Sequence, residues 1–316
     1  MKENKTDMKN SETLEDTVQR EGESENKMGI MPIKKLLFTM AWPAILSMTI
    51  SALYNIVDSI FVAKLGEDAL TAVSIVNPIQ MLIIALSVGS GVGINSLISR
   101  KLGAKRQQEA DQAASTGLRI GVFNYLIFLI IGVFFTGIFV SGYAEKGTNI
   151  YDGAVTYMSI ICIGSFFLNM QVVFEKILQS TGNMIGPMTG SLTGAIVNII
   201  LDPILIFVLD MGVQGAALAT VLSQGVSCAW VLLFLFGRKS ILKLRAKNFL
   251  QSPRLILPCV VLGTATFIMQ ASESVISVCF NSSLAKYGGD IAVGAMTILS
   301  SVMQFALLPL QGLSQG

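Results

Sequence analysis

Histidine is missing from this sequence of 316 residues, and charged residues make up only 13% of it, whereas 52% of the residues are apolar. Soluble globular domains carry about 25% charged residues. Without histidine the chain has no His general base, no His metal ligand and no His proton relay. We therefore expect an integral membrane protein that is not an enzyme and holds no cofactor.

Cysteine is scarce as well. The four cysteines each lie inside an apolar stretch, and no pair has the CxxC spacing of a redox or zinc motif. Thiols in such surroundings behave as small apolar side chains. The sequence thus predicts neither disulfides nor metal ligands at Cys162, Cys228, Cys259 and Cys279.

Long apolar stretches follow one another from residue 36 onward. A helix needs about 20 apolar residues to cross a hydrocarbon core of roughly 30 Å. No stretch shows the alternation of a barrel strand. The sequence therefore predicts an all-α polytopic membrane protein whose transmembrane helices cover residues 36–63, 69–97, 117–141, 153–179, 183–209, 213–237, 254–284 and 291–316.

Basic residues are concentrated at the N-terminal edge of the first span and in the second and sixth loops. The other loops between spans hold at most one lysine each. By the positive-inside rule, this distribution predicts a cytoplasmic N-terminus. The basic residues concerned are Lys34, Lys35, Arg100, Lys101, Lys105, Arg106, Arg119, Arg238, Lys239, Lys243, Arg245, Lys247 and Arg254.

The sequence also contains a repeat. The segment AKLGEDA at 63–69 is answered by AKYGGDI at 285–291, and after one inserted residue Gly89 and Gly93 match Gly312 and Gly316. Six spans separate the copies, so both enter the membrane in the same direction, as in parallel transporter repeats. We expect a first six-helix lobe over 34–238, a basic cytoplasmic linker over 239–253 and the first two helices of a second, incomplete lobe over 254–316.

On this interpretation eight helices of an expected twelve are present, and the chain is a C-terminally truncated or partial one. Residues 1–33 are rich in Glu, Lys, Asn and Ser, so they bury too little apolar surface to fold and are expected to form a disordered cytosolic tail. A stripe of glycine at every fourth position in span five predicts close helix packing rather than a ligand site. These glycines are Gly182, Gly186, Gly190 and Gly194.

Carboxylates within the spans are the main candidates for function, because a charge in the membrane interior is costly. Asp58 and Asp202 both lie about 9 to 12 Å below the same membrane boundary, at 1.5 Å per residue. Asn198 lies one turn from Asp202 on the same helix face, and Thr220 reaches a similar depth on span six. Such oxygen-rich surroundings suit a proton or Na⁺. The alternative is that both acids cap helix ends or contact loop water.

Two further acids lie in spans. Glu273, near mid-bilayer in a polar patch with Gln270, is a candidate for a substrate cavity, or else a buried structural acid. Glu175 is followed by Lys176 near the inner end of span four, which favours an ion pair at the membrane interface over a functional role.

These residues resemble those of the MATE (multidrug and toxic compound extrusion) transporters, particularly the DinF-like and MepA-like branch. The similarity rests on NIILDPILIF at 198–207, GVQGAALAT at 212–220, VDSIFV at 57–62 and QSTGN at 179–183. It implies two six-helix lobes that form a V, and efflux of organic, often cationic, compounds in exchange for H⁺ or Na⁺. It places the ion site at Asp58, Asn198, Asp202 and Thr220, and a bend of the first helix at Pro43.

Other functions remain open from the residues alone. A lipid-linked precursor flippase of a related fold would need a cationic cavity, and a membrane-embedded transferase would need paired Asp-rich metal motifs. A receptor or scaffold is a further alternative. We expect a monomeric transporter that contacts small organic substrates and membrane lipids, has no nucleic-acid partner, and couples to H⁺ or Na⁺.

Overall fold

A computed structural model describes residues 32–237 and 256–273, together with single positions beyond residue 273. Over this part of the chain all regular structure is helical, and seven helices have the length and apolar composition to span a membrane. In chain order they are α1 (Ile33–Ala63), α2 (Glu67–Gly103), α3 (Gln107–Ser141), α4 (Asn149–Ser180), α5 (Ile185–Val208), α6 (Gly212–Phe236) and α7 (Ile256–Glu273).

The seven helices coincide with the first seven predicted spans and differ from them mainly at the basic end of the bundle. There α2 continues to Gly103 and α3 begins at Gln107, whereas the predicted spans end at 97 and begin at 117. Polar side chains of these outer turns face water, so the helical backbone continues past the apolar stretch. Lys101 Nζ donates to Glu109 Oε2 at 2.5 Å and ties the two helices together across their turn.

Several predicted segments lie outside the described residues. They are the tail over 1–33 except its last two residues, the linker over 239–253, and most of the span over 291–316. The predicted seventh span is described continuously only to Glu273.

The centre of the six-helix lobe is α4, which packs against α2, α3 and α6. The partner of α1 is mainly α5, and α5 also packs along α6. Glycines allow α5 and α6 to pack closely. Ser227 Oγ donates to the carbonyl oxygen of Gly190 at 2.9 Å, and a Cβ on Gly194 would lie 3.0 Å from Cβ of Ser227. The predicted packing role is therefore confirmed for Gly186, Gly190 and Gly194. It is wrong for Gly182, which lies in the turn before α5 with a φ of 81°.

Another pair of helices, α2 and α7, approach each other through glycine. The backbone of Gly93 lies against that of Cys259, and Gly263 lies against the carbonyl of Gly89. A Cβ on Gly89 would lie 2.9 Å from Cβ of Phe267. This contact joins the lobe of α1 to α6 with the helix that starts the second sequence repeat.

The same contact occurs a second time, in the register of the repeat. A Cβ on Gly312 would lie 2.7 Å from Cα of Ile45 on α1. Gly312 matches Gly89 at an offset of 223 residues, and Phe267 matches Ile45 at an offset of 222. Two equivalent contacts related in this way are expected of two lobes that face each other across a pseudo-twofold axis.

Candidate ion and substrate site

Asp202 is the most buried acid among the described residues, with no solvent-exposed surface. The Asn198 side-chain amide, one turn earlier on α5, donates to Asp202 Oδ1 at 3.3 Å. Oδ2 of Asp202 and Oδ1 of Asn198 are both buried without a hydrogen-bond partner in the described part of the chain. Leaving such oxygens unsatisfied in an apolar interior costs free energy, so they favour an added proton or cation.

Local structure at Asp202 is irregular. Pro203 cannot donate to the carbonyl one turn earlier, and a π-helical segment, Ile204–Val208, follows it directly. Single π-helical turns are common at functional sites because they reposition side chains and free backbone groups. The irregularity therefore lies next to the acid that the sequence identified as a candidate.

Asp58 of α1 lies almost level with Asp202. The rings of Phe61 and Phe207 meet edge to face at 6.2 Å between centroids, which fixes the register of α1 against α5. The two carboxyl groups are close enough to repel each other electrostatically. Oδ1 of Asp58 is likewise buried without a hydrogen-bond partner in the described residues.

Thr220 joins this level from α6. A Cβ on Gly215 would lie 2.7 Å from the Leu205 carbonyl, and α5 and α6 run in opposite directions. Thr220 lies five residues after Gly215 on α6. It is therefore opposite the stretch of α5 between Asn198 and Asp202. Its hydroxyl donates to the carbonyl oxygen of Ala216 at 3.0 Å, which leaves the hydroxyl oxygen able to accept. The structure thus brings together the four residues predicted for ion coupling.

Two tyrosines belong to the same cluster and were missed by the sequence analysis. Tyr157, buried on α4, lies within electrostatic range of both Asp58 and Asp202. Tyr54 lies one turn before Asp58 on α1 and is in range of both acids and of Glu175. Tyr54 could have been found from its spacing of four residues from Asp58, whereas Tyr157 is brought in only by the packing of α4.

A small polar cavity of about 110 Å³ lies beside this cluster, between α1, α4, α5 and α6. Tyr54, Gln171, Ser191 and Gln224 are among its lining residues. The Gln171 amide donates to Glu175 Oε1 at 2.9 Å, and Ser191 also hydrogen-bonds to this carboxylate. Glu175 does not line the cavity itself but lies directly behind two residues that do.

The predicted ion pair between Glu175 and Lys176 is not the arrangement observed. Lys176 is buried on the side of α4 that faces α2, next to Gly91, and its Nζ donates to Gln179 Oε1 at 2.9 Å. Neighbouring residues on a helix point in directions about 100° apart, so these two side chains cannot share one face. Glu175 instead faces the polar groups of α4 and α5.

The remaining predicted residues lie elsewhere. Glu273, the last residue of the continuously described part of α7, is exposed, and neither Glu273 nor Gln270 lines the cavity of about 110 Å³ or a second one of about 530 Å³. Pro43 is buried inside α1, which stays helical on both sides of it. A proline at this position removes the backbone hydrogen bond to Thr39, so α1 has a built-in point for bending.

The family model for MatE matches residues 43–204, which is half of the chain and includes Asp58, Asn198 and Asp202. This chain belongs to the MATE family. Members of the family are transporters, in agreement with the all-helical membrane fold, and the resemblance noted from the motifs is confirmed.

Among curated proteins, the MATE chain is similar to the multidrug export protein MepA of Staphylococcus aureus, with 26% identity over 90% of this chain and 63% of the relative. MepA of Staphylococcus haemolyticus is 28% identical over the same shares. A solved structure of a multidrug resistance MATE transporter in an outward-facing conformation superposes with a TM-score of 0.84 and 29% identity, over 89% of this chain and 62% of the other. The chain thus spans under two thirds of the length of these relatives.

Proposed function

We propose that this MATE chain takes part in multidrug efflux, in which organic, cationic compounds leave the cell in exchange for H⁺ or Na⁺. The observation that carries the proposal is the pairing of the buried Asp202 with the partly buried Asp58, each with a buried oxygen that lacks a hydrogen-bond partner in the described residues. The multidrug export function of the MepA relatives supports it. We place the protein in a bacterial plasma membrane with the basic loops in the cytoplasm.

The ion site consists of Asp58 and Asp202, with Asn198 and Thr220 as neutral oxygen ligands. A proton or Na⁺ relieves the repulsion between the two carboxylates and satisfies their buried oxygens. Because the site joins α1 to α5 and α6, its occupancy favours one arrangement of α1 over another. Coupling requires that the ion bind these arrangements with different affinity.

The polar cavity beside the ion site is the proposed contact for cargo. Glu175, which lies behind Gln171 and Ser191, supplies a negative charge next to the cavity, while the ring of Tyr54 lines it and supplies a face for a cation. Tyr54 adjoins both the ion site and the cavity. A bound ion and a bound cationic compound would therefore lie in the same electrostatic environment and compete with each other. This competition is what exchange of an ion for a cationic compound requires.

Two measurements test the proposal. Binding of Na⁺, or uptake of protons, by the purified chain in lipid nanodiscs tests the ion site without a full transport cycle. Dye efflux from proteoliposomes under an imposed pH or Na⁺ gradient tests exchange. Asp58→Asn and Asp202→Asn should each abolish ion binding and gradient-driven efflux. Unchanged ion binding and efflux in both variants would show that the assignment is wrong.

A further inference from the structure

A larger cavity, of about 530 Å³, lies between α2, α3 and α7, away from the acidic cluster. Its volume is within the range of small-molecule sites, roughly 300 to 1,000 Å³. Most of the lining is apolar and includes Ile127, Val260 and Phe267. One cationic side chain, Arg119 of α3, lines it as well.

The polar groups of this cavity are ordered along the membrane normal. Arg119 lies nearest the basic end of the bundle, and its Nη2 donates to Thr116 Oγ1 at 3.0 Å. About 8 Å further into the membrane, at 1.5 Å per residue, Asn124 follows on the same helix. Its amide donates to Ser90 Oγ at 2.9 Å. Thr264 of α7 lines the cavity at about the same level, and beyond these residues the lining is apolar.

The cavity opens sideways toward the bilayer. Phe123 and Val260, on opposite walls, expose 64% and 48% of their surface. Apolar side chains on the outside of a membrane bundle contact lipid chains. A molecule can therefore enter this cavity from the membrane without passing the ion site.

We propose that this cavity binds an anionic phospholipid from the leaflet at the basic end. The phosphate lies at Arg119, the glycerol region lies beside Asn124 and Ser90, and an acyl chain lies along Ile127 and Phe267. The charge of Arg119 complements the headgroup, and basic pockets between transmembrane helices on the cytoplasmic side are typical sites for anionic lipids. The polar-to-apolar order of the lining matches that of a phospholipid entering from this leaflet.

The lipid position also has a mechanical consequence. Gly263 and Phe267 line the cavity and at the same time form the contact of α7 with Gly89 of α2. A bound lipid therefore covers the edge of this contact between the two lobes. We expect it to stabilise the arrangement in which α2 and α7 touch.

The test measures how many lipid molecules stay bound to the purified protein in native mass spectrometry. It compares phosphatidylglycerol with phosphatidylcholine that carries the same acyl chains. The key variant is Arg119→Gln. Its matched control is Arg100→Gln, which removes one charge from an exposed position at the same end of the bundle outside the cavity. Arg119→Lys keeps the charge, and Thr264→Phe fills the cavity from an exposed position on α7.

We expect the unmodified chain to prefer phosphatidylglycerol roughly fivefold, the effect of one basic residue near a lipid headgroup. Arg100→Gln and Arg119→Lys should keep this preference, Arg119→Gln should lose it, and Thr264→Phe should weaken retention of both lipids. Equal loss in the two glutamine variants would overturn the proposal in favour of general surface charge. No preference in the unmodified chain, or full retention in Thr264→Phe, would overturn it as well. If Arg119→Gln does not fold, the other two cavity variants decide the outcome.

Discussion

The side-chain amide of Asn198 donates to Asp202 Oδ1 across one turn of α5, and it leaves Asp202 Oδ2 buried without a hydrogen-bond partner in the described residues. The amide thus holds one oxygen of the carboxylate and leaves the second one buried in the same cluster. A carboxylate held in this way is ready to accept a proton or a cation with little rearrangement. The following predictions use this geometry and the glycine contacts between helices.

Asp202→Asn should remove ion-dependent stabilisation of the protein. A ligand that binds only the folded state raises the free energy of unfolding, by about 2.7 kcal/mol at a concentration 100 times its Kd. We expect Na⁺ or acidification to raise the melting temperature of the unmodified chain and to have no effect on Asp202→Asn. Asp210→Asn, in the exposed turn after α5, is the matched control and should respond like the unmodified chain. An equal response of both variants would contradict the role of Asp202.

Asn198→Ala should weaken ion binding without abolishing it. The substitution removes a neutral oxygen ligand and the amide that orients the Asp202 carboxylate. Titration of the purified chain with Na⁺ should show an affinity lower by roughly tenfold, which corresponds to about 1.4 kcal/mol. Asn198→Asp should not restore normal Na⁺ binding, because it places a third negative charge beside Asp58 and Asp202. An unchanged affinity in Asn198→Ala would exclude a direct role.

Glu175→Gln should reduce affinity for cationic cargo and leave ion binding nearly unchanged. The glutamine keeps the volume and much of the hydrogen bonding with Gln171 and Ser191 but removes the negative charge behind these two lining residues. Fluorescence binding of a cationic dye and of a neutral compound of similar size measures the difference. Only the dye should bind more weakly. Glu145→Gln, in an exposed loop, controls for net charge, and an equal loss in both variants would contradict the prediction.

Gly93→Ala should destabilise the contact between α2 and α7. The added Cβ would overlap the backbone of Cys259, and inserting a methyl group into a close-packed contact costs about 1 to 3 kcal/mol. Gly312→Ala should have a similar effect, because its Cβ would meet the backbone of Ile45 in the equivalent contact. Thermal unfolding in detergent measures both.

The control for these two variants is Gly103→Ala at the end of α2. A Cβ at that position has no neighbouring atom within 4 Å, and alanine favours the helix by about 1 kcal/mol over glycine. Its melting temperature should stay the same or rise. A melting temperature that falls equally in all three variants would show that the close glycine contacts do not explain the result.

Composition and periodicity were sufficient to predict the class of fold in this protein. Apolar stretches separated by basic loops locate helices because only a helix satisfies every backbone group inside a lipid bilayer. Helix ends were less predictable: α2 extends about two turns and α3 about three turns past the apolar stretches, since polar side chains there face water while the backbone bonds continue. The repeat at 63–69 and 285–291 also indicated two facing lobes, and the two glycine contacts follow its register.

The sequence by itself determined that Asp58 and Asp202 lie at one depth, with Asn198 one turn away, because position along a helix fixes depth. Only the tertiary structure decided which side chains complete the site. Tyr157 enters it through the packing of α4, and Glu175 turns toward Gln171 and Ser191 rather than toward its neighbour Lys176. Chain position sets the level of a residue in the membrane, but the rotation of each helix, fixed by packing against the others, sets the direction in which its side chain points.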